Sequence, residues 1–196
     1  MLIIDYKDAR DFQSAEVFRV FYEKLPDQRR QKLDRIRHEK TRLLSMAAGV
    51  LLHEHLEKLG FRDSDVILGE YGKPFLPLEG APFFSLSHAG DYATIILADR
   101  PVGIDMEKVH DFKDNLAERF FLPEEAAAIK NAPNENECLR LFFKMWTMKE
   151  AYGKLKGDGL QSGLSFPTFN VPPEIEVIYP RFECDEDYII SAVRAV

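Results

Sequence analysis

Hydrophobic positions recur along the chain with two periods, and each change of period marks a new element. Leu2–Tyr6 reads as a strand, and Ser14–Leu25 as a helix with Val17, Phe18, Phe21 and Leu25 at helical spacing. From about Asp27 the helical pattern resumes and is read through to Leu59. Its apolar stripe is Leu44, Ala48, Leu52, Leu56 and Leu59, and Gly60 fits a C-terminal stop. Val66–Tyr71, Pro82–Ser87, Tyr92–Ala98 and Val102–Met106 follow as strand-like runs, with turns at Gly72-Lys73-Pro74 and Gly90-Asp91. Helical stretches return over about Asp111–Phe121, Pro123–Lys130 and Asn136–Leu155, before a Gly-rich loop and short strands ending in Tyr188–Val193. Helices and then sheet, twice over, predict an α+β fold of two similar halves, residues 1–100 and 101–196. No Gly/Ser linker separates them.

Composition supports a packed protein. Among 196 residues, 15 Phe and 7 Tyr supply the apolar surface for a core and exclude a disordered or collagen-like chain. No apolar run approaches the ~20 residues that span a bilayer, so no membrane partner is expected. Met1–Tyr6 breaks into charge too early for a secretory signal. Cys138 and Cys184 lack metal-ligand spacing and are too few for a disulfide framework, so a reduced, cytoplasmic location is the expectation. A net charge of −7 argues against broad nucleic-acid binding, and no nucleic-acid partner is expected. Arg29–Arg42 is the local exception, with seven basic side chains against the two acids Asp34 and Glu39. It is either a solvated helix face or an anion site suited to a small polyphosphate.

The candidate chemistry begins at Val102-Gly103-Ile104-Asp105-Met106-Glu107. On a strand Asp105 and Glu107 project from one face, about 7 Å apart, and repel each other unless a cation sits between them. Hard oxygen ligands of this kind suit Mg2+; an ordinary exposed strand edge is the alternative. In the helix ending near Leu155, the side opposite the Leu141, Met145, Met148, Tyr152 and Leu155 stripe carries Phe143, Trp146, Glu150 and Lys154. A helix apolar on two sides is covered on both, which puts Glu150 in a semi-buried place where it needs a cation or donors. The alternative is an intrahelical Glu150–Lys154 pair. Ser87-His88 cannot form a direct nucleophile–base pair, because strand neighbours face opposite ways. His88 at a strand end is a candidate donor to a phosphate or a turn cap. Gly72-Lys73 lacks the P-loop pattern, and no Gly-x-Ser-x-Gly elbow occurs.

Four segments in this order resemble the 4′-phosphopantetheinyl transferases, specifically the larger, single-chain, pseudo-dimeric type. They are Tyr71-Gly72-Lys73-Pro74, Phe84-Ser85-Leu86-Ser87-His88, Val102-Gly103-Ile104-Asp105-Met106-Glu107 and Trp146-Thr147-Met148-Lys149-Glu150-Ala151-Tyr152-Gly153-Lys154. Arg119-Phe120-Phe121 followed by Glu125 also fits, and the likeness runs from about Asp27 to Gly159. The tail from about Phe166 matches no motif. The resemblance implies halves related by a pseudo-twofold, with the active site in the cleft between them. It implies Mg2+-dependent transfer of phosphopantetheine from coenzyme A to a serine of an acyl or peptidyl carrier protein, releasing 3′,5′-ADP, with Mn2+ as an alternative metal and a monomer as the expected state. By similarity, Asp105, Glu107 and Glu150 hold the metal, while Arg42, Lys73, Ser87 and His88 hold the coenzyme, His88 near its 3′-phosphate. Lys149 and Lys154 contact phosphates, Lys154 serving the leaving oxygen. Glu150, or a metal-bound water, is the proton acceptor, and Glu125 supports the metal or the nucleophile. Two rivals remain at this stage: a metal-dependent phosphohydrolase of small polyphosphates, and a non-catalytic coenzyme-A-binding protein.

Overall fold

In chain order the elements are β1 (Leu2–Asp8), α1 (Ala15–Lys24), α2 (Asp27–Arg35), α3 (Glu39–Lys58), β2 (Ile67–Leu68), β3 (Pro74–Phe75), β4 (Phe83–Ala89) and β5 (Tyr92–Ala98). Then come β6 (Val102–Lys108), α4 (Leu116–Phe120), α5 (Pro123–Lys130), α6 (Glu135–Lys156), α7 (Leu160–Ser165), β7 (Ile175–Ile178) and β8 (Tyr188–Ala195). This is a computed structural model, and it describes residues 1–112, 115–182 and 187–196. Cys184 lies outside the described residues, as do positions 113–114 of the helix expected over Asp111–Phe121.

Two antiparallel sheets follow the same connectivity. The first has the order β1-β5-β4 and the second β6-β8-β7, so in each the opening strand pairs with the last, and the last with the one before it. The long helix α3 packs against β1, β4 and β5, and α6 packs against β6 and β8. Tyr92, Ile96 and Ala98 of β5 share an apolar cluster with Val102, Ile104, Met106, Tyr188, Ile190 and Ala192, which seals the seam between the sheets. Along the seam, Ser85 Oγ and Ser87 Oγ of β4 accept the backbone N–H groups of Ile104 and Met106, at 3.2 and 3.3 Å.

Four elements differ from the sequence reading, each for a local reason. The helix expected from Asp27 to Leu59 is two helices. Leu33 is the lone apolar residue of α2, Ile36 is extended, and His38 caps α3 by accepting from the Thr41 N–H. The run Val66–Tyr71 pairs only at Ile67 and Leu68, because Gly69 and Gly72 (φ +81°) close the ribbon turn immediately afterwards. Helix appears only from Leu116 in the stretch expected over Asp111–Phe121, and Asp111 and Phe112 lie outside it. The Gly-rich loop after Gly159 is instead helix α7. Gly163 permits this seat, since a Cβ there would lie 2.4 Å from the Lys149 carbonyl oxygen.

The side chains of β6 alternate as expected. Ile104 and Met106 enter the seam, while Gly103, Asp105 and Glu107 share the other face. Gly103 sets how close α6 can lie: a Cβ there would stand 1.9 Å from the Ala151 carbonyl oxygen and 2.6 Å from the Leu155 nitrogen. Both obstacles are helix backbone and cannot rotate away. Gly103→Ala should therefore force β6 and α6 apart and destabilise the fold by about 1–3 kcal/mol, in the range of core overpacking. A urea titration with unchanged slope and a lowered midpoint is the expected result.

Candidate active site

Where β4, β6 and α6 converge, one network joins their polar residues. Lys154 Nζ lies 2.6 Å from Asp105 Oδ1 and 2.9 Å from Ser87 Oγ, and Ser87 Oγ donates to the same Asp105 oxygen at 2.8 Å. The two rival partners suggested by sequence are thereby decided. Lys154 pairs with Asp105 on the facing strand, and Ser87 bonds to Asp105, not to His88. Asp105 is only 4% exposed, and its second oxygen, Oδ2, is buried without a hydrogen-bond partner among the described residues.

A buried carboxylate oxygen left bare is costly, and the two neighbouring acids register the same deficit of positive charge. Burial, then the charge of Asp105, pushes the Glu107 carboxyl from the ordinary 4.5 up to about 7, against the opposing pull of Lys154. Glu150 is raised for the same reasons in the same order. Among the described residues no three acidic, His or Cys side chains form a ready cation cage, so the three carboxylates face one space without being gathered around a point. Hard oxygen donors, one of them orphaned, nevertheless fit a divalent cation that keeps part of its shell as water or phosphate.

These acids open into a crevice of about 900 Å³. Its floor carries Ser87, Asp105, Glu107, Glu150 and Lys154; one wall carries Arg29 and Lys32 of α2; the ribbon wall carries Val66, Ile67 and Leu68. Desolvation lowers the pKa of both Arg29 and Lys32, which leaves two cations poorly solvated at the wall and receptive to an anion. Gly49 of α3 makes room for the stem of Arg29, whose Cγ would lie 3.3 Å from a Cβ at that position. His88 is open to the crevice yet crowded enough that desolvation, aided by Lys154 and Lys32, lowers its pKa from 6.5.

Four expected site residues stand elsewhere. Arg42 lies outside the crevice lining, with its guanidinium 4.7 Å above the Phe18 ring. Lys73 turns away from the cavity and donates to the carbonyl oxygens of Val102 (3.3 Å) and Leu155 (3.1 Å), bridging the ends of β6 and α6. Burial depresses its pKa to about 8. Glu125 and Lys149 are both buried and pair with each other at 2.9 Å, away from the lining. Their electrostatic needs are met by protein, which departs from the metal and phosphate contacts expected of them. The pair Arg29 and Lys32 was visible only as part of a basic run. Their i, i+3 spacing beside inward-facing Leu33 was the available signal.

The arrangement sets three carboxylates and two poorly solvated cations on one crevice, a set of groups whose chemistry suits a divalent cation and a phosphate. Comparisons narrow it further. Residues 101–192 match the 4'-phosphopantetheinyl transferase superfamily model. The chain is 28% identical to a 4'-phosphopantetheinyl transferase of Bacillus subtilis over 182 residues, 86% of this chain and 81% of that protein. It is 30% identical to the 4'-phosphopantetheinyl transferase Sfp of Bacillus subtilis (strain 168) over 74% of this chain and 64% of Sfp. With psf-1 of Bacillus pumilus the identity is 40%, over 48% of this chain and 40% of the relative. Over most of its length the chain is thus similar to 4'-phosphopantetheinyl transferases, and the superfamily model matches its second half. No helix among the described residues is long and apolar enough to cross a membrane.

The raised Glu107 has a consequence for stability. Between pH 4.5 and about 7 the native carboxyl holds a proton that the unfolded one has released, so in metal-free protein its contribution falls as pH rises through that window. Glu107→Gln should flatten this decline, and chemical denaturation at pH 5 and pH 7.5 reads the difference directly.

Proposed function

We propose that this enzyme transfers 4′-phosphopantetheine from coenzyme A to a serine hydroxyl of an acyl or peptidyl carrier protein, with Mg2+ bound by Asp105, Glu107 and Glu150. The observation that carries the reading is the orphaned Asp105 Oδ2, buried beside two acids of raised pKa in a crevice with a basic wall. Such a site supplies both a place for a cation and a place for polyphosphate. When bound, the cation neutralises phosphate charge and makes the bound pyrophosphate a better electrophile.

The protein's own part is positioning and charge control. Arg29 and Lys32 hold phosphate oxygens of the coenzyme, and His88 donates a hydrogen bond to one of them. Ser87 holds Asp105 Oδ1 and so fixes the orientation of the carboxylate. Lys154 pairs with Asp105, and its ammonium would also offset charge on the departing oxygen. The serine oxygen forms a bond to the phosphorus that bears pantetheine. The bond from that phosphorus to the oxygen of the adenosine-bearing phosphate breaks, and 3′,5′-ADP leaves. Glu150, half-buried at the crevice floor, accepts the serine proton. The attacking hydroxyl belongs to the carrier, which is consistent with a chain that has no nucleophile elbow. On this reading residues 1–100 and 101–196 are a duplicated unit about a pseudo-twofold, supported by the shared strand connectivity. The protein works as a cytoplasmic monomer.

Mass spectrometry of several apo carrier domains, incubated with the enzyme, coenzyme A and Mg2+, tests the proposal. A gain of one phosphopantetheine per domain is expected, with no gain after chelation of the metal and recovery when Mg2+ is restored. Asp105→Asn and Glu150→Gln should each lower the rate by about two to three orders of magnitude, typical of lost transition-state charge stabilisation. Near-normal turnover in either variant would overturn the ligand set.

A further inference from the structure

Lys149 and Glu125 are the most deeply buried ion pair among the described residues, with side chains 0% and 1% exposed. Neither touches the crevice, although Lys149 immediately precedes Glu150 on α6. Their bonding is saturated. Lys149 Nζ meets Glu125 Oε2 at 2.9 Å and donates to the carbonyl oxygens of Leu164 (3.2 Å) and Phe166 (2.7 Å). Glu125 Oε1 accepts from the N–H and the hydroxyl of Thr168, both at 2.7 Å, and Oε2 accepts from the Leu122 N–H at 3.0 Å. These contacts hold the Glu125 carboxyl below its ordinary pKa in spite of burial.

Three segments are thereby tied at one point: the start of α5, the middle of α6, and the chain leaving α7. Backbone contact reinforces the tie, because Gly163 lies against the Lys149 carbonyl and Gly153 against that of Gly159. Successive residues on a helix point about 100° apart. A rotation of α6 that loosens Lys149 therefore swings Glu150 away from Asp105 by the same angle. A buried, fully bonded charge pair resists such rotation, since separating it leaves a desolvated ion.

We infer that Glu125 and Lys149 are positioning residues. The pair acts as a strut that fixes the rotation of α6 and so aims Glu150 at the Asp105–Glu107 face, without either residue contacting the coenzyme or the metal. The inference rests on the proposed metal ligand set for its Mn2+ arm and on the transfer reaction only for its activity arm.

Lys149→Met, Thr168→Val and the double variant Glu125→Gln/Lys149→Met separate the possibilities. Binding of Mn2+ by electron paramagnetic resonance and binding of coenzyme A without metal by calorimetry are the two readouts that need no turnover. For Lys149→Met the expected result is Mn2+ affinity lowered at least fivefold, metal-free coenzyme affinity within twofold of the parent, and kcat lowered at least tenfold with KM for coenzyme A little changed. Thr168→Val, which removes one hydroxyl donor to Glu125, should move the same quantities in the same direction by a smaller factor. Should Lys149→Met fail to fold, Thr168→Val and the charge-free double variant carry the test. A loss of coenzyme affinity with Mn2+ binding intact would make Lys149 a phosphate ligand and overturn the strut. Unchanged Mn2+ affinity and kcat in a variant with a lowered Tm would reduce the pair to fold stability alone. If the parent transfers nothing to any carrier, the transferase reading fails, while the Mn2+ comparison still decides the strut.

Discussion

A carboxylate buried without enough positive charge around it is the constraint on which the rest of this structure depends. Asp105 is withdrawn from water, one of its oxygens is held by Lys154 and Ser87, and the other has no hydrogen-bond partner among the described residues. Burying a carboxylate costs several kcal/mol, which one lysine shared among three acids offsets only in part. Glu107 and Glu150 aggravate the deficit, which is why both are more basic than ordinary carboxylates. A site that is electrostatically incomplete by itself is receptive to a cation, and the nearby Arg29 and Lys32 make the same space receptive to a polyanion. The two shortages are complementary.

Keeping such a site in place requires backbones that cannot drift. The approach of α6 to β6 is set by Gly103, and that of α7 to α6 by Gly163 and Gly153, in each case because a single methyl group would collide with main-chain atoms. Between the sheets the seam is apolar, with Ser85 and Ser87 serving the N–H groups of β6 that no neighbouring strand pairs. Ser87 thus has two duties: it completes the backbone hydrogen bonding of β6 and orients the carboxylate that β6 carries. Lys73 adds a bridge at the far end, reaching carbonyl oxygens of both β6 and α6. The buried floor contrasts with the ribbon wall, where Ile67 and Leu68 are exposed.

Much of this was legible in the residues alone. The strands β1, β5 and β6 and the helices α1, α5 and α6 fall within two residues of their predicted limits, because each carries a clean period bounded by polar or glycine stops. Alternation on β6 placed Asp105 and Glu107 on one face, and the doubly apolar surface of α6 signalled that Glu150 would be covered. Phe143 and Trp146 are indeed packed against α4 and α5 in an aromatic cluster. Periodicity failed where the signal was thin, as at the break between α2 and α3 and in the six-residue α7.

What the sequence determined was the inventory: which side chains share a strand face or a helix face, and that carboxylates and cations occur in the right segments. Tertiary structure decided the pairings. Lys154 could have answered Glu150 on its own helix but meets Asp105 on a strand 49 positions earlier. Lys149 belongs to the same motif yet is turned inward to Glu125, and Arg29 and Lys32, not Arg42, face the crevice. The reason is physical. Periodicity reports which face of an element is apolar, whereas the partner of a buried charge depends on where another element's backbone comes to rest, and here glycine contacts far apart in the chain set that distance.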